Sequence, residues 1–578
     1  MTSLQKGYRT LLKKQKVSYN RSMFKKNTKH LQPALISAAS ELPEKQLKLL
    51  KRSWAHSFYH EFFCRIDEEF FAVLYSSKVS RPNVPVNVMV GLEVLKAGFG
   101  WSDEELYENY CFNLQVRYAL GYDRLGDGDF AIRTLYYFRE RLSKHYLESG
   151  ENLLEQAFEQ VTDAQLRDLQ VRTGMQRMDS TQIASNIVDT SRLQLLVEAI
   201  QRVHRIISEA DQQRLVESFE PYIKGTAGHY TYRVKGKEAV QEHLQQVGAT
   251  INHLLTELKD GYADDLAYQV LERIFVENFN LVEDGVCPKE NRELASGILQ
   301  SVDDLEASYR TKGNAHYKGY VANLTETCDP QNDLQLITKV QVAPNNVDDS
   351  QLLAEALPNL QERSDLDTLL TDGGFGGEAS DTALDGQDIK LIQTAIRGPK
   401  LDSHQFHLAD FDIHFDPQGT PSDITCPYGQ KVPIISARTT GLQARFDPEI
   451  CTACPFHQQE RCRTQPQKRD PRYLLAFTPK QVRAAQRRKH FLEHLDHGQN
   501  LRAAVEATVR SVKHPFRAGK LPVRGQFRVS CLMIASAIHV NVRRICRYRK
   551  DNFLFSHFFG FSKSVFQPQA YAGLVFLQ

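Results

Sequence analysis

Two segments near the middle of the chain restrict its fold most. Residues 317–325 and 334–342 alternate apolar and polar side chains, and Cys328-Asp-Pro-Gln-Asn-Asp333 between them is turn chemistry. Alternation at period two predicts an antiparallel strand pair that buries one face in a larger sheet. Three further strands are expected. One covers 169–178 and ends at Asp179, one covers 366–370 and ends in Thr371-Asp372-Gly373-Gly374, and one covers 389–396. A helix is expected between the second pair, over 348–363, where apolar residues recur at helical spacing.

Helical spacing dominates elsewhere. Residues 86–96 read as a helix, and Ser102 with Glu105 three residues on forms a capping box at the start of another. Residues 129–142 make an amphipathic helix carrying Arg133, Arg139 and Arg141. Helices are also expected through 190–300, over 479–495, 499–513 and 527–547. A chain of 578 residues is enough for two to four domains. The order is strand, long interruption, two antiparallel strands, helix, two strands, insertion, helix. It resembles an α/β ribonuclease-H-like core. In that reading 1–40 is a basic arm and 41–165 a helical N-terminal, DNA-binding domain. The core takes 166–190 and 301–396, interrupted by a helical insertion over 191–300. A cysteine-containing insertion follows over 397–477, and 478–578 is the helical C-terminal part of the core.

Charge is segregated although the formal net charge is only +2. Between Lys6 and Lys29 there is no Asp or Glu, and basic residues crowd 461–488 and 502–550, whereas 260–388 is rich in acids. Basic ends around an acidic centre suit a polyanion held around a metal-dependent centre, although basic runs are also common on solvated surfaces. The Lys/Arg-rich start has no apolar h-region or cleavage site, so no secretory signal is expected. The longest apolar stretch, 531–542, is interrupted by Ser536, His539 and Asn541 and reads as a buried helix, so no membrane span is expected.

Phosphodiester cleavage assisted by divalent ions needs carboxylates brought to one point by rigid elements. Asp179, in Arg177-Met-Asp-Ser-Thr181, follows a strand. Asp372 ends an apolar run and is followed by Gly373, Gly374, Gly376 and Gly377, which leave room for a nearby backbone or phosphate. Glu506 lies on a helix with Arg502 four residues before it and Lys513 seven after it, so the three share a face. Each acid taken alone is also compatible with an ordinary ion-paired surface. Asp189, Asp365 and Asp367 are rival acids that lack the strand-end position or the glycines. His490, His494 and His497 fit an ordinary basic surface, and Trp54 and Trp101 fit a core.

These residues carry a resemblance. Arg502, Glu506 and Lys513 reproduce the Arg, three residues, Glu, six residues, Lys spacing of the DDE transposases of bacterial insertion sequences. Met178-Asp-Ser-Thr181 and Leu370-Thr-Asp-Gly-Gly-Phe375 resemble the family's first and second acid motifs, and Tyr317-Lys-Gly-Tyr320 resembles the strand beside the first. Residues 81–142, with Arg81-Pro82 and Gly100-Trp-Ser-Asp-Glu-Glu-Leu106, resemble its helical N-terminal domain, and Pro522-Val-Arg-Gly525 resembles its C-terminal end. One departure stands out: the family's Tyr three residues before the Arg is Gln499 here, which puts strand-end handling in question.

The resemblance implies a recombinase that cleaves double-stranded DNA at its element's terminal inverted repeats and joins it to target DNA. Asp179, Asp372 and Glu506 would hold Mg²⁺ or Mn²⁺, and Arg502 and Lys513 would contact phosphate. It implies a bacterial cytoplasmic, nucleoid-associated enzyme working as a homodimer or higher multimer. A nuclease without the joining step and a non-catalytic DNA-binding derivative are the alternatives. Cys451-Thr-Ala-Cys454 has the spacing of half a zinc site, and Cys426 and Cys462 could complete four thiolates around Zn²⁺, with His457 as a substitute ligand. Reduced thiols without metal are the other reading.

Overall fold

The computed structural model describes residues 24–31, 37–76, 78, 82–122, 124, 126–283, 285–394, 404–417, 419–437, 441–466, 470–493, 504–516 and 519–559, with only the backbone at 490, 493 and 553–559. The protein is a mixed α/β chain in two compact units, Met1–Gln165 with Ile534–Gln578, and Leu166–Met533.

The first unit is helical. Helix α1 (Val86–Phe99) is buried almost all round, as its nearly unbroken apolar sequence requires, and stops at Gly100 in the left-handed conformation (φ 71°). Helix α2 (Asp103–Phe112) starts on the Ser102/Glu105 capping box expected from sequence. Helix α3 (Arg133–Ser149) starts later than the expected residue 129. The segment before it is fixed instead by tertiary contact: Phe130 is buried and its carbonyl accepts the Tyr107 hydroxyl at 2.7 Å. Arg139 of α3 pairs with Glu93 and Asp103, each at 2.8 Å.

The second unit opens with strand β1 (Met175–Ile183). Asp179 therefore lies in mid-strand and not at the end of a strand over 169–178. The preceding helix persists to Asp168, and pairing to a neighbour carries β1 on to Ile183. Helices α4 (Arg192–Ile206), α5 (Lys237–Tyr262) and α6 (Leu266–Asn278) then pack around Leu196, Ile200, Val247, Ile251, Leu271 and Ile274. This segment is not wholly helical, since it closes with a hairpin of β2 (Phe279–Val282) and β3 (Gly285–Pro288).

The chain returns through β4 (Ser308–Lys312), β5 (Ala315–Thr327) and β6 (Ile337–Pro344), then helix α7 (Asp349–Arg363), β7 (Thr368–Thr371) and β8 (Lys390–Gln393). Strand β5 pairs antiparallel with β4, β6 and β1, while β1, β7 and β8 run parallel. Strand β4 is an addition to the expected pair. Gly319 has φ 131°, and a Cβ there would stand 2.4 Å from the Ile183 carbonyl oxygen, so only glycine lets β5 lie this close to the end of β1. Met178 of β1 packs with Leu353, Leu357 and Leu360 of α7.

Residues 412–477 build a second, antiparallel sheet ordered β13-β14-β12-β11-β10-β9. Its strands are β9 (Asp412–Phe415), β10 (Pro421–Thr425), β11 (Lys431–Ala437), β12 (Gly441–Phe446), β13 (Gln465–Pro466) and β14 (Tyr473–Phe477). Phe411, Ile424, Ala444, Phe446 and Cys451 form its core with Val482 of helix α8 (Pro479–Glu493). Helices α9 (Ala504–Lys513) and α10 (Gln526–Phe559) follow. The span Gln526–Asn552 is long and apolar enough to cross a membrane by composition, but 72% of its most apolar window is buried within the protein, which is the burial of a core helix.

Candidate active site

Strand pairing brings two of the expected acids to one level. Arg177 lies opposite Leu370 in the parallel β1–β7 ladder, and Asp179 and Asp372 are each two residues further along. Neighbouring strands are about 4.8 Å apart, so these two α-carbons are close although 193 positions separate them in sequence. Asp179 is buried and its Oδ1 accepts the backbone N–H of Ser180 at 3.1 Å. Asp372 caps the turn Gly373–Phe375, its Oδ1 accepting the Gly374 N–H at 2.8 Å. The Gln393 amide donates to the Asp372 carbonyl at 3.2 Å and ties the same turn to β8.

A buried polar network sets the position of α9 against β1. Arg177 Nε lies 2.7 Å from Glu326 Oε1, and Glu326, fully buried on β5, also accepts the Thr508 hydroxyl of α9 at 2.8 Å. At the other end of α9, Lys513 Nζ donates to Thr181 Oγ1 at 3.2 Å and to the Gln182 carbonyl at 2.9 Å. Arg177 and Thr181 thus face α9, and by strand alternation so does Asp179 between them. Glu506 stands two turns from Lys513, on the same helical face, and is exposed. Burial lowers the Lys513 ammonium from its usual range. Arg502 lies outside the described residues, as do His494, His497, Gln499 and the side chain of His490.

A fourth acid stands nearby that sequence spacing did not single out. Asp349 is the first residue of α7, is 7% exposed, and lies beside the Ser180 side chain. The rival acids lie elsewhere: Asp189 pairs with Lys318 at 2.6 Å, and Asp365 and Asp367 precede β7, at the opposite end from Asp372. Among the described residues, no three His, Cys, Asp or Glu side chains stand close enough together to hold a metal ion as placed. The donor set of Asp179, Asp372 and Glu506 is all oxygen, the chemistry that Mg²⁺ and Mn²⁺ prefer.

The cysteines of the second sheet also converge. Cys451 and Cys454 are buried, and Cys426 and Cys462 are half-buried. Burial, and then the neighbouring Cys462, Cys426 and Cys454, push the Cys451 thiol up to about 12. Their spacing still falls short of a closed metal shell. His457 stacks edge-on against Tyr473, with ring centroids 4.8 Å apart. Trp54 and Trp101 both pack on Phe99, at 5.0 and 4.5 Å between ring centroids.

Two family models match the chain. One, described as "Transposase DDE domain", matches residues 425–546, a span holding Glu506, Lys513 and the four cysteines. The other, described as "Transposase domain (DUF772)", matches residues 49–141, in the helical unit. No curated protein and no solved structure matches. Asp179, on β1, and Asp372, just past the end of β7, lie upstream of the first match. Both matched segments are of transposase domains. Together they support a DDE transposase of an insertion sequence.

Proposed function

We propose that the protein cuts DNA at the ends of its insertion sequence and joins those ends to target DNA, with Asp179, Asp372 and Glu506 as the catalytic carboxylates. The observation that carries this reading is the shared level of Asp179 and Asp372 on adjacent parallel strands, with α9 fixed across the same face of β1. Three antiparallel strands (β6, β5, β1) continued by two parallel ones (β7, β8) are also what a ribonuclease-H-like core calls for.

Divalent cations on these carboxylates, Mg²⁺ or Mn²⁺, would activate the attacking oxygen and offset charge on the leaving oxygen. The chain's own contribution is positioning. The β1–β7 ladder fixes Asp179, the Gly374 N–H orients Asp372, and the Glu326 network sets the rotation of α9 that presents Glu506. Lys513 gives two of its three N–H groups to β1, and the third is available to a phosphate oxygen of the DNA. Arg502 is assigned the same role. In the first step water attacks the phosphodiester at the element end. The new P–O bond forms as the old one breaks, leaving a 3′-hydroxyl and a 5′-phosphate. In the second step that 3′-hydroxyl attacks a target phosphodiester and expels another 3′-hydroxyl. Neither step needs a covalent link to protein.

The substrate is double-stranded DNA in the bacterial cytoplasm, with a homodimer or higher multimer bridging the two element ends. Zn²⁺ on Cys426, Cys451, Cys454 and Cys462 as a structural ion of the second sheet rests on the Cys451-Thr-Ala-Cys454 spacing.

The test is cleavage of a labelled element end in Mg²⁺ against EDTA, followed by strand transfer from pre-cut ends. Asp179→Asn and Asp372→Asn should each lower both steps about a thousandfold or more, the loss of several kcal/mol of transition-state stabilisation. Unchanged activity in Asp372→Asn would overturn the assignment. Cleavage without transfer would reduce the protein to a nuclease.

A further inference from the structure

Asp349 reaches the site from the face of the sheet opposite α9. Ser180, which lies beside it, alternates with Asp179 along β1 and so points toward α7. A Cβ built on Gly374 would stand 2.7 Å from Asp349 Oδ2 and 2.9 Å from Asp372 Oδ1. The two carboxylate oxygens therefore flank a single point, separated by less than the sum of those distances. The glycine leaves open the space that any other residue would fill.

The surroundings balance this carboxylate only through one long ion pair. Its Oδ1 is buried and makes no hydrogen bond. The nearest cation, Arg310, stands 3.7 Å away, beyond hydrogen-bond reach, and directs Nη1 to the carbonyls of Asn345 and Val347 at 3.4 and 3.3 Å. Burial raises the Asp349 carboxyl from its ordinary value; Arg310 and Ser180 pull it down, and Asp372 and Asp348 push it up again. Two carboxylates this close, one of them nine-tenths buried, repel each other unless positive charge lies between them.

We infer that Asp349 is a fourth carboxylate of the cation site, completing it beside Asp372 from the α7 side while Asp179 and Glu506 complete it from the α9 side. This rests on the assignment of Asp179, Asp372 and Glu506 proposed above. The competing role is that of a structural counter-ion for Arg310.

The experiment is calorimetric titration of the full chain with Mn²⁺, with urea unfolding of the metal-free protein alongside. Asp349→Asn should weaken Mn²⁺ binding about tenfold or more and shift the Mg²⁺ requirement for cleavage upward by a similar factor. Its metal-free urea midpoint should stay level or rise, because a like-charge repulsion is removed. Wild-type Mn²⁺ affinity in Asp349→Asn, with weakened binding in Asp372→Asn, would overturn this inference and leave the three-acid site intact. Wild-type affinity in Asp372→Asn would overturn the three-acid reading itself. Should Asp349→Asn not fold, Arg310→Gln decides. It keeps the carboxylate and removes its counter-charge, so tighter Mn²⁺ binding supports the inference and unchanged or weaker binding ends it.

Discussion

His539 is a deeply buried titratable residue of the helical unit. Its ring is buried against Gly98, where a Cβ would come within 2.1 Å of His539 Cγ. Burial, with Arg543 adding to it, holds the imidazole down at about 4. An unfolded histidine titrates near about 6.5, so the folded state favours the neutral ring. The stability this contributes is complete above the unfolded value and is lost as pH falls from there toward about 4. Urea unfolding at about pH 7 and about pH 4.5 should show a fall of about 2–3 kcal/mol that shrinks in His539→Phe. Gly98→Ala should cost about 1–3 kcal/mol at neutral pH by overpacking, read by the same measurement. The sequence identified His539 only as a polar interruption in an apolar run. Asp349 was missed for a related reason: one acid at the start of a helix, beside the capping Asp348, has no local signature.

At the scale of elements, the decisive contact is the Arg177–Glu326–Thr508 network between β1, β5 and α9. Removing one member of a buried ion pair leaves the other uncompensated, so Glu326→Ala should cost about 3–5 kcal/mol of unfolding free energy. Thr508→Val keeps the shape and loses one hydrogen bond, with a stability loss of about 1 kcal/mol. If this bond sets the rotation of α9, Thr508→Val should lower the rate of end cleavage beyond what its small stability loss explains. Wild-type cleavage in a folded Thr508→Val protein would remove that positioning role. Some elements were legible because their signals are local. The Ser102/Glu105 box begins α2 as expected, and the residue pattern located β5, β6, α7 and β7 to within a few positions. Strand β1 was displaced by several residues because its far half is held by pairing to β5, and the β2–β3 hairpin was hidden among strongly helical neighbours.

For the whole molecule, two measurements follow from charge and composition. If the basic segments bind DNA through phosphate contacts, affinity for an element end should fall about a thousandfold between about 50 and about 200 mM salt. A salt-insensitive affinity would remove the basic segments from the DNA interface. Protein purified without chelator should contain about one zinc per chain, and chelation should lower the urea midpoint of the Leu166–Met533 unit. Absence of zinc would leave the four cysteines as reduced thiols around the β9–β14 sheet.

The sequence alone determined many of the elements and their order, because apolar periodicity, capping residues and turn chemistry act over a few neighbouring positions. It also marked Asp179, Asp372, Glu506 and Lys513 as a set, through spacing and family resemblance. Only the tertiary structure decided which strand lies beside which, and so that Asp179 and Asp372 share a level, that Glu326 locks α9 onto β1, and that Asp349 comes up beside Asp372. Strand register and the burial of a charge depend on partners outside the local sequence, 193 positions away for Asp179 and Asp372 and 23 for Asp349 and Asp372, and no local pattern encodes those.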